Sequence, residues 1–368
     1  MTRRSPLGIG EAAPWFRAPV LDGAANYVFD TVGGRIVLML FFGTAANPAC
    51  AAALAAVEAR RALFDDERAC FFGVTVDKTD EQCGRIGQRL PGIRFFLDHD
   101  RAVSRAFGAT EAEGAYRGHW LLLDRNLRVA GAFPLGEAAA ALDACAALAE
   151  APLAQDWAPV MTVPNLLEPE LCRRLIDLYE ADGGEDSGFM RDVGGKTRLV
   201  LDPRHKVRRD HLIEKPDLAR QLNLRIIRRL APMIRRAFQF EATRVERLIV
   251  ACYEAATGGH FRAHRDNTTR GTAHRRFAVT VNLNAEEYEG GDLRFPEFGQ
   301  RLYRAPTGGA IVFSCALLHE ATPVTRGRRF AFLPFLYDEE GAKLREKNAK
   351  FLEGDLANYR ASQDVKVG

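Results

Sequence analysis

The sequence predicts two domains of different class, an α/β domain followed by a two-sheet jelly roll with flanking helices. Over the first 150 residues, short apolar strand-like runs alternate with helical stretches, which is the α/β pattern. From Leu248 to Tyr337 many short strands are separated by turn signals at Gly258-Gly259, Glu289-Gly290-Gly291, Pro306-Thr307-Gly308-Gly309 and Arg326-Gly327. Such punctuation suits a jelly roll. Between the two lies Ala151-Pro152-Leu153-Ala154-Gln155-Asp156-Trp157-Ala158-Pro159, a connector with no helix or strand period. The expected organisation is therefore 1–150, a linker at 151–159, a second domain at 160–338, and a charged helical tail at 339–368. A chain of 368 residues has ample length for two cores.

Composition narrows the class further. An apolar content of 47% and a charged content of 27% are ordinary for a globular protein, and a net charge of +3 gives no electrostatic reason to expect nucleic acid or a membrane. Seven cysteines without paired spacing argue against a disulfide framework and for the reducing cytoplasm. The N-terminus lacks the apolar core of a signal peptide. Ile36 to Val57 carries no charge, but it divides into a strand, a turn and an Ala-rich helix rather than one membrane span.

In chain order, Ile36–Phe42 reads as a buried strand, Gly43–Pro48 as a turn, and the stretch from Ala49 as a helix. Phe71–Asp77 is a strand, Thr79–Leu90 a helix, Phe95–Asp98 a short strand, Ala102–Phe107 a helix, Arg117–Asp124 a strand and Glu137–Glu150 the closing helix. Beyond the linker, Val160–Val163 is a strand and Glu168–Glu180 an amphipathic helix. Ala181–Lys206 is expected as loops. Residues 204–236 are strongly basic, but Leu218, Leu222, Ile226, Ile227, Leu230 and Met233 form one apolar stripe on a helix kinked at Pro232. The arginines, Arg208 among them, fit its solvated side. No aromatic residues interleave them to stack bases.

The chemistry concentrates between Tyr253 and Arg329. His264 and Asp266 are two apart, so on a strand both side chains share a face. His319 lies beyond two further strand-like runs, and two imidazoles with one carboxylate suit an iron with positions left open. Arg329 comes ten residues after His319, where a guanidinium suits bidentate capture of a carboxylate. Tyr253 is placed to supply a hydroxyl to the same group. His260 shares a strand face with His264 and His274 follows shortly, so the residues alone leave another ligand pair open.

The pattern Tyr253-x4-Gly258-x5-His264-x-Asp266, then Gly290-Gly291-Asp292-Leu293-x-Phe295, then His319-x9-Arg329 resembles the 2-oxoglutarate and Fe(II)-dependent oxygenases, within them the prolyl 4-hydroxylase-like group. The resemblance implies a double-stranded β-helix with Fe(II) on His264, Asp266 and His319, and 2-oxoglutarate held by Arg329 and Tyr253. It implies O₂ as co-reactant, with ascorbate a further candidate. The substrate it implies is a prolyl or other amino-acid C–H, in a peptide or protein or in a free amino acid.

Phe41-Phe42-Gly43-Thr44-Ala45-Ala46-Asn47-Pro48-Ala49-Cys50 resembles the peroxiredoxin active-site loop. Arg117-Gly118-His119-Trp120 resembles the strand bearing that family's arginine. The resemblance implies a thioredoxin-like fold over residues 5–150, with Cys50 and Arg117 as catalytic residues and Cys83 as a resolving partner. A thiol reductant would serve Cys50. A helix N-terminus is expected to lower the Cys50 pKa. Two positions depart from the pattern, Gly43 for the family's proline and Asn47 for its threonine. Two readings of this domain follow, a thiol peroxidase or a recognition module, and the alternative for the whole chain is a peroxidase with a noncatalytic β domain.

Overall fold

The computed structural model describes residues 6–110, 114–153, 156–354 and 365–366. The chain divides into two compact units, Met1–Gln155 with Pro296–Gly299, and Asp156–Phe295 with Gln300–Gly368. Ala154 and Gln155 of the expected linker, and Leu356 of the expected helical tail, lie outside the described residues.

In the first unit a five-stranded sheet runs in the order Ile93–Leu97, Ala69–Thr75, Ile36–Gly43, His119–Leu123, Val129–Pro134. The first three strands are mutually parallel, His119–Leu123 runs antiparallel to them, and Val129–Pro134 turns back antiparallel to His119–Leu123 and so shares the direction of the first three. Every residue of the central strand is buried, as a sheet covered on both faces requires. Ile36, Leu38, Leu40 and Phe42 face one core with the helices Pro48–Ala59 and Ala138–Glu150, while Val37, Met39 and Phe41 face a second core with Val103 and Phe107. The helix expected over Thr79–Leu90 is shorter, Lys78–Gln82. Gly84 at φ 64° ends it in the left-handed conformation that glycine tolerates, and Cys83 becomes its exposed C-cap.

In the second unit, Pro169–Asp182 begins with proline in its first turn and stops at Gly183 (φ 85°). Ala181–Lys206, expected as loops, contains an antiparallel hairpin, Phe189–Val193 with Lys196–Val200. Its tip, Gly194-Gly195, has φ of 58° and 79°, the two positive values a two-residue hairpin turn demands. The basic region is also corrected. Lys206–Val207 and Arg209–Leu212 are strands, and the helices Pro216–Arg225 and Ala231–Phe238 are joined by a π-helical turn at Ile226–Leu230. Their buried stripe is Leu218, Leu222, Ile226, Leu230 and Ile234, whereas Met233 is exposed.

Two sheets follow. The larger sheet contains, as successive neighbours, Arg244–Glu246, Phe335–Tyr337, Phe277–Asn282, Arg328–Phe332, Ile249–Glu254 and Arg209–Leu212. The smaller runs Lys206–Val207, His260–His264, His319–Ala321, Leu293–Arg294, Leu302–Tyr303. Strand alternation sorts the larger sheet: Val250, Cys252, Phe330 and Phe332 join the helices in the main core, so Ala251, Tyr253, Arg329 and Ala331 take the opposite face. Glu339–Asn348 forms a helix capped by Asp338, whose side chain accepts from the Gly341 N–H. Among the described residues, no helix is long and apolar enough to cross a membrane.

Candidate metal centre

His264 ends one strand of the smaller sheet and stands directly across from His319, which begins the next. A register irregularity between Phe261 and His264 bends the strand there. The Asp266 N–H donates to the Cys315 carbonyl at 2.9 Å, fixing the chain two residues beyond His264. His264 Nε2 lies 3.5 Å from Asp266 Oδ1, and His319 Nε2 lies 3.3 Å from Asp266 Oδ2. One ligand atom from each residue falls within 4.8 Å of the others. The other ring nitrogens are engaged: His264 Nδ1 lies 2.8 Å from the Arg262 carbonyl and His319 Nδ1 3.0 Å from the Leu317 carbonyl. Each Nδ1 therefore carries the proton and donates it, leaving each Nε2 as a lone pair facing the Asp266 carboxylate.

Electrostatics favours the neutral ring at His264 and the ionised carboxylate at Asp266. Burial first, then the His319 ring, pushes His264 down to about 4. Burial opposes the Asp266 charge, but His319, His264 and Arg275 outweigh it and hold this carboxyl well below the usual range. Neutral imidazoles and an ionised carboxylate are the forms that bind a divalent cation. The other two histidines are elsewhere: His260 Nδ1 meets the Gly258 carbonyl at 2.7 Å, and His274 Nε2 meets Glu246 Oε2 at 2.8 Å.

Arg329 is 2% exposed, and two of its donors, Nε and Nη1, have no protein acceptor. It is the cross-strand partner of Tyr253, with its guanidinium carbon 5.0 Å from that ring. Tyr253 shares a small apolar cluster with Phe261, whose ring stacks on His264 at 3.5 Å between centroids. The tyrosine, the arginine and the triad thus line one interior. Gly290-Gly291 makes room: both have positive φ, and a Cβ at Gly291 would meet Arg329 Cδ at 3.1 Å.

The first unit holds Cys50 in the first turn of Pro48–Ala59, 3% exposed, with Sγ donating to the Phe42 carbonyl at 3.1 Å. The expected lowering of its pKa is not found. Burial, and after it the Asp80 carboxylate, pushes the thiol above its ordinary value. Asn47 does not reach the sulfur as a donor; its Oδ1 accepts the Ala49 N–H at 2.9 Å as the helix N-cap. Gly43 has φ 75°, which proline cannot adopt, and the Tyr116 ring lies 2.8 Å from where its Cβ would be. A pocket of about 490 Å³ beside the thiol is lined by Thr44, Asn47, Asp77, Arg101 and Tyr116 among others. Arg117, expected within a strand, lies two residues before the strand His119–Leu123, with its N–H on the Ala109 carbonyl at 2.7 Å.

Comparison with known proteins agrees with both halves. Residues 248–337 match the family model described as 2OG-Fe(II) oxygenase superfamily, and residues 9–130 match the AhpC/TSA family. The chain joins an AhpC/TSA domain to a 2OG-Fe(II) oxygenase domain. A PKHD-type hydroxylase of Nitrosomonas europaea is 27% identical over 146 residues, 37% of this chain and 63% of that protein. One of Pseudomonas fluorescens is 30% identical over 125 residues, 32% of this chain and 54% of that protein. The chain thus spans less than two thirds of the length of these curated relatives. A solved prolyl hydroxylase from Trichoplax adhaerens, in complex with a hypoxia inducible factor peptide fragment, is 19% identical, covering 51% of this chain and 86% of that one at a TM-score of 0.38. A viral collagen prolyl hydroxylase from Paramecium Bursaria Chlorella virus-1 is 16% identical, covering 49% and 96% at the same TM-score.

Several residues of the oxygenase domain escape sequence reasoning. Glu246 is buried and takes Arg275 Nη2 at 2.7 Å and Arg275 Nε at 3.0 Å as well as His274. The Arg275 charge helps to hold the Asp266 carboxyl down, so this buried group supports the metal face. Lys206 and Arg208 are also buried. Arg208 Nη1 donates to the Tyr253 hydroxyl at 3.3 Å, and Arg208 Nη2 donates to Asp210 Oδ2 at 2.6 Å. His205, pushed down to about 4 chiefly by burial, lies between Phe189 of the hairpin and Phe261.

Proposed function

We propose that this chain is an Fe(II)- and 2-oxoglutarate-dependent hydroxylase acting on a prolyl or other amino-acid C–H, peptidyl or free, and that its two β-sheets form a double-stranded β-helix. The observation that carries this reading is the pairing of the two bare Nε2 atoms and the Asp266 carboxylate with a buried arginine, two of whose donors lack acceptors. The donor set, two imidazoles and one carboxylate, fits Fe(II). The orphaned Arg329 donors beside Tyr253 fit the distal carboxylate of 2-oxoglutarate. When bound, the iron and cosubstrate supply O₂ activation, with 2-oxoglutarate converted to succinate and CO₂ as one oxygen atom enters the substrate C–H bond.

The chain's own residues position and protect. The Arg262 and Leu317 carbonyls hold the two imidazole tautomers. Arg329 and Tyr253 orient the cosubstrate. Phe261 and Phe313, packed on His264 and His319, keep water from the rings.

Anaerobic addition of Fe(II) and 2-oxoglutarate to the purified protein is expected to give a weak visible charge-transfer band, absent in His264→Ala and His319→Ala. Arg329→Gln is expected to require about 10²-fold more 2-oxoglutarate, the loss of a charge-assisted pair. No band with iron demonstrably loaded would overturn the reading.

For the AhpC/TSA domain the second reading is a thiol peroxidase acting through Cys50. The pocket beside the thiol favours it, while the raised thiol pKa and the altered Gly43 turn count against it. Peroxide consumption by the wild type that is lost in Cys50→Ser would support peroxidase activity. No consumption by the wild type would leave recognition of a protein substrate as the domain's role.

A further inference from the structure

We propose that Arg208 and Lys206 form a second anion site in the oxygenase domain, taking a carboxylate carried by the substrate itself. The inference rests on the hydroxylase reading and deepens it by naming a chemical class of substrate.

Arg208 sits where the chain crosses between the sheets. The preceding strand, Lys206–Val207, pairs with Phe261 and His260 of the metal-bearing sheet, and the following strand, Arg209–Leu212, pairs with Cys252 to Ile249 of the sheet that carries Tyr253 and Arg329. The side chain is 8% exposed, and Nε has no protein acceptor. Nη1 reaches the Tyr253 hydroxyl at 3.3 Å, and Nη2 reaches Asp210 Oδ2 at 2.6 Å and Ser187 Oγ at 3.2 Å. Lys206, 7% exposed, donates from Nζ to Ser187 Oγ at 2.7 Å and to the Gly188 carbonyl at 2.6 Å, both uncharged acceptors. Its ammonium lies 4.8 Å from the centre of the Phe261 ring, the ring that stacks on His264. Ser187 Oγ bridges onward to Asp210 Oδ2 at 2.5 Å.

Arg208 pairs with Asp210; Lys206, whose pKa is pushed well down by burial and by the Arg208 charge, meets only uncharged acceptors; and Arg329, in contact with the same Tyr253 ring, has orphaned donors of its own. An uncompensated buried charge is strongly destabilising, as breaking a buried pair is. A domain holds such a surplus economically when a ligand supplies the opposite charge. The cosubstrate has two carboxylates; the reading above gives the distal one to Arg329, and the one beside its keto group would go to the metal held by His264, Asp266 and His319. The charge left over at Arg208 and Lys206 calls for a third carboxylate, and the substrate is the remaining molecule that must enter. Tyr253 stands between the two subsites, accepting from Arg208 and keeping its own proton for the group at Arg329.

The test uses the full chain loaded with Mn(II) and N-oxalylglycine, an unreactive cosubstrate analogue, so that the metal and Arg329 positions are filled. Calorimetric titration then compares three probe sets: free L-amino acids, their carboxamides, and N-acetyl N-methylamides of aspartate and glutamate. At least one carboxylate probe is expected to bind the filled complex, with its uncharged counterpart weaker by about tenfold or more. Binding is expected to fall by about tenfold or more in Arg208→Gln and in Lys206→Met, while N-oxalylglycine affinity changes by less than about threefold. A response among the free amino acids assigns the carboxylate to a main-chain terminus, and one among the capped residues assigns it to an acidic side chain. The proposal is overturned if no carboxylate binds, if carboxamides bind equally, or if both variants bind like the wild type. It is also overturned if Arg208→Gln weakens N-oxalylglycine as much as Arg329→Gln does, since Arg208 would then belong to the cosubstrate pocket. Failure of the wild type to bind Mn(II) and N-oxalylglycine at all would overturn the hydroxylase reading first, and this proposal with it.

Discussion

In the oxygenase domain two buried arginines keep donors that no protein group accepts, whereas in the AhpC/TSA domain the buried thiol is engaged by its own chain. Arg329 and Arg208 keep donors without acceptors, and the two Nε2 atoms face a carboxylate rather than a proton donor. Cys50, by contrast, gives its hydrogen to the Phe42 carbonyl and stands near the Asp80 carboxylate, which itself takes the Ala45 N–H, Thr75 Oγ1 and Arg85 Nε. The first arrangement reserves binding capacity for a ligand. The second spends the helix N-terminus and the nearby charge on holding a loop, and the thiol is left less acidic for it. Burial alone therefore does not mark a reactive site; what matters is whether the buried group's partners are supplied by the fold.

The largest effects that would break this contrast lie at the metal. Asp266→Ala removes the only carboxylate among the triad, and metal retention measured after dialysis is expected to fall by more than the roughly 10–100-fold typical of losing a group that merely supports a ligand. Retained stoichiometric iron would break the ligand assignment. Next is Glu246, whose two partners, Arg275 and His274, are as buried as it is. Glu246→Gln leaves Arg275 unpaired and is expected to destabilise the oxygenase domain by about 3–5 kcal/mol in urea unfolding. Burial opposes its charge, but Arg275 and His274 hold the carboxyl well below its ordinary value. A depressed folded-state pKa contributes stability that is full above the unfolded value of roughly 4.3 and is lost as pH falls through the folded value. The wild type is therefore expected to lose stability on acidification below that range, with a shallower slope in Glu246→Gln.

A smaller effect sharpens the comparison. Gly291 has φ 66°, and an added Cβ would lie 2.8 Å from Val324 Cγ2 and 3.1 Å from Arg329 Cδ. Gly291→Ala is expected to cost about 1–3 kcal/mol through backbone strain and to weaken 2-oxoglutarate binding by displacing Arg329. Unchanged cosubstrate affinity would mean that the guanidinium position does not depend on this close approach.

The legibility of these features in the sequence follows from how local their geometry is. His264 and Asp266 could be paired because a spacing of two on a strand fixes a shared face, and Arg329 could be aimed inward because alternation on its strand sets it opposite Phe330 and Phe332. Arg208 could not. It stands in a run of arginines that reads as the solvated side of a helix, and its burial arises because Lys206–Val207 and Arg209–Leu212 pair with strands of different sheets. The Gly194-Gly195 turn was readable in principle, but its flanks, Arg191, Asp192, Lys196 and Arg198, hide the apolar alternation that normally announces a hairpin. In the AhpC/TSA domain the replacement of proline by Gly43 is visible in the sequence; its φ of 75° and the Tyr116 ring filling the space above it are not.

The smallest predicted effect concerns Cys50 against Cys83, two free thiols of one domain in opposite environments. Cys83 is exposed at the end of a five-residue helix, whereas Cys50 is 3% exposed and raised in pKa by burial and by Asp80. Alkylation depends on the thiolate and on access, so Cys83 is expected to react first with iodoacetamide near neutral pH, followed by peptide mass mapping. Asp80→Asn removes the second of the two causes and leaves the first, so the Cys50 rate is expected to rise only by a few-fold. Because Asp80 also anchors the Thr44–Ala45 turn, the same variant loosens that turn, and increased access would raise the rate as well. The pH profile separates the two: an electrostatic effect moves the midpoint to lower pH, while access raises the plateau and leaves the midpoint in place. If wild-type Cys50 were alkylated faster than Cys83 at neutral pH, the thiol would be activated in solution, and the contrast between an open and a self-satisfied site would fail.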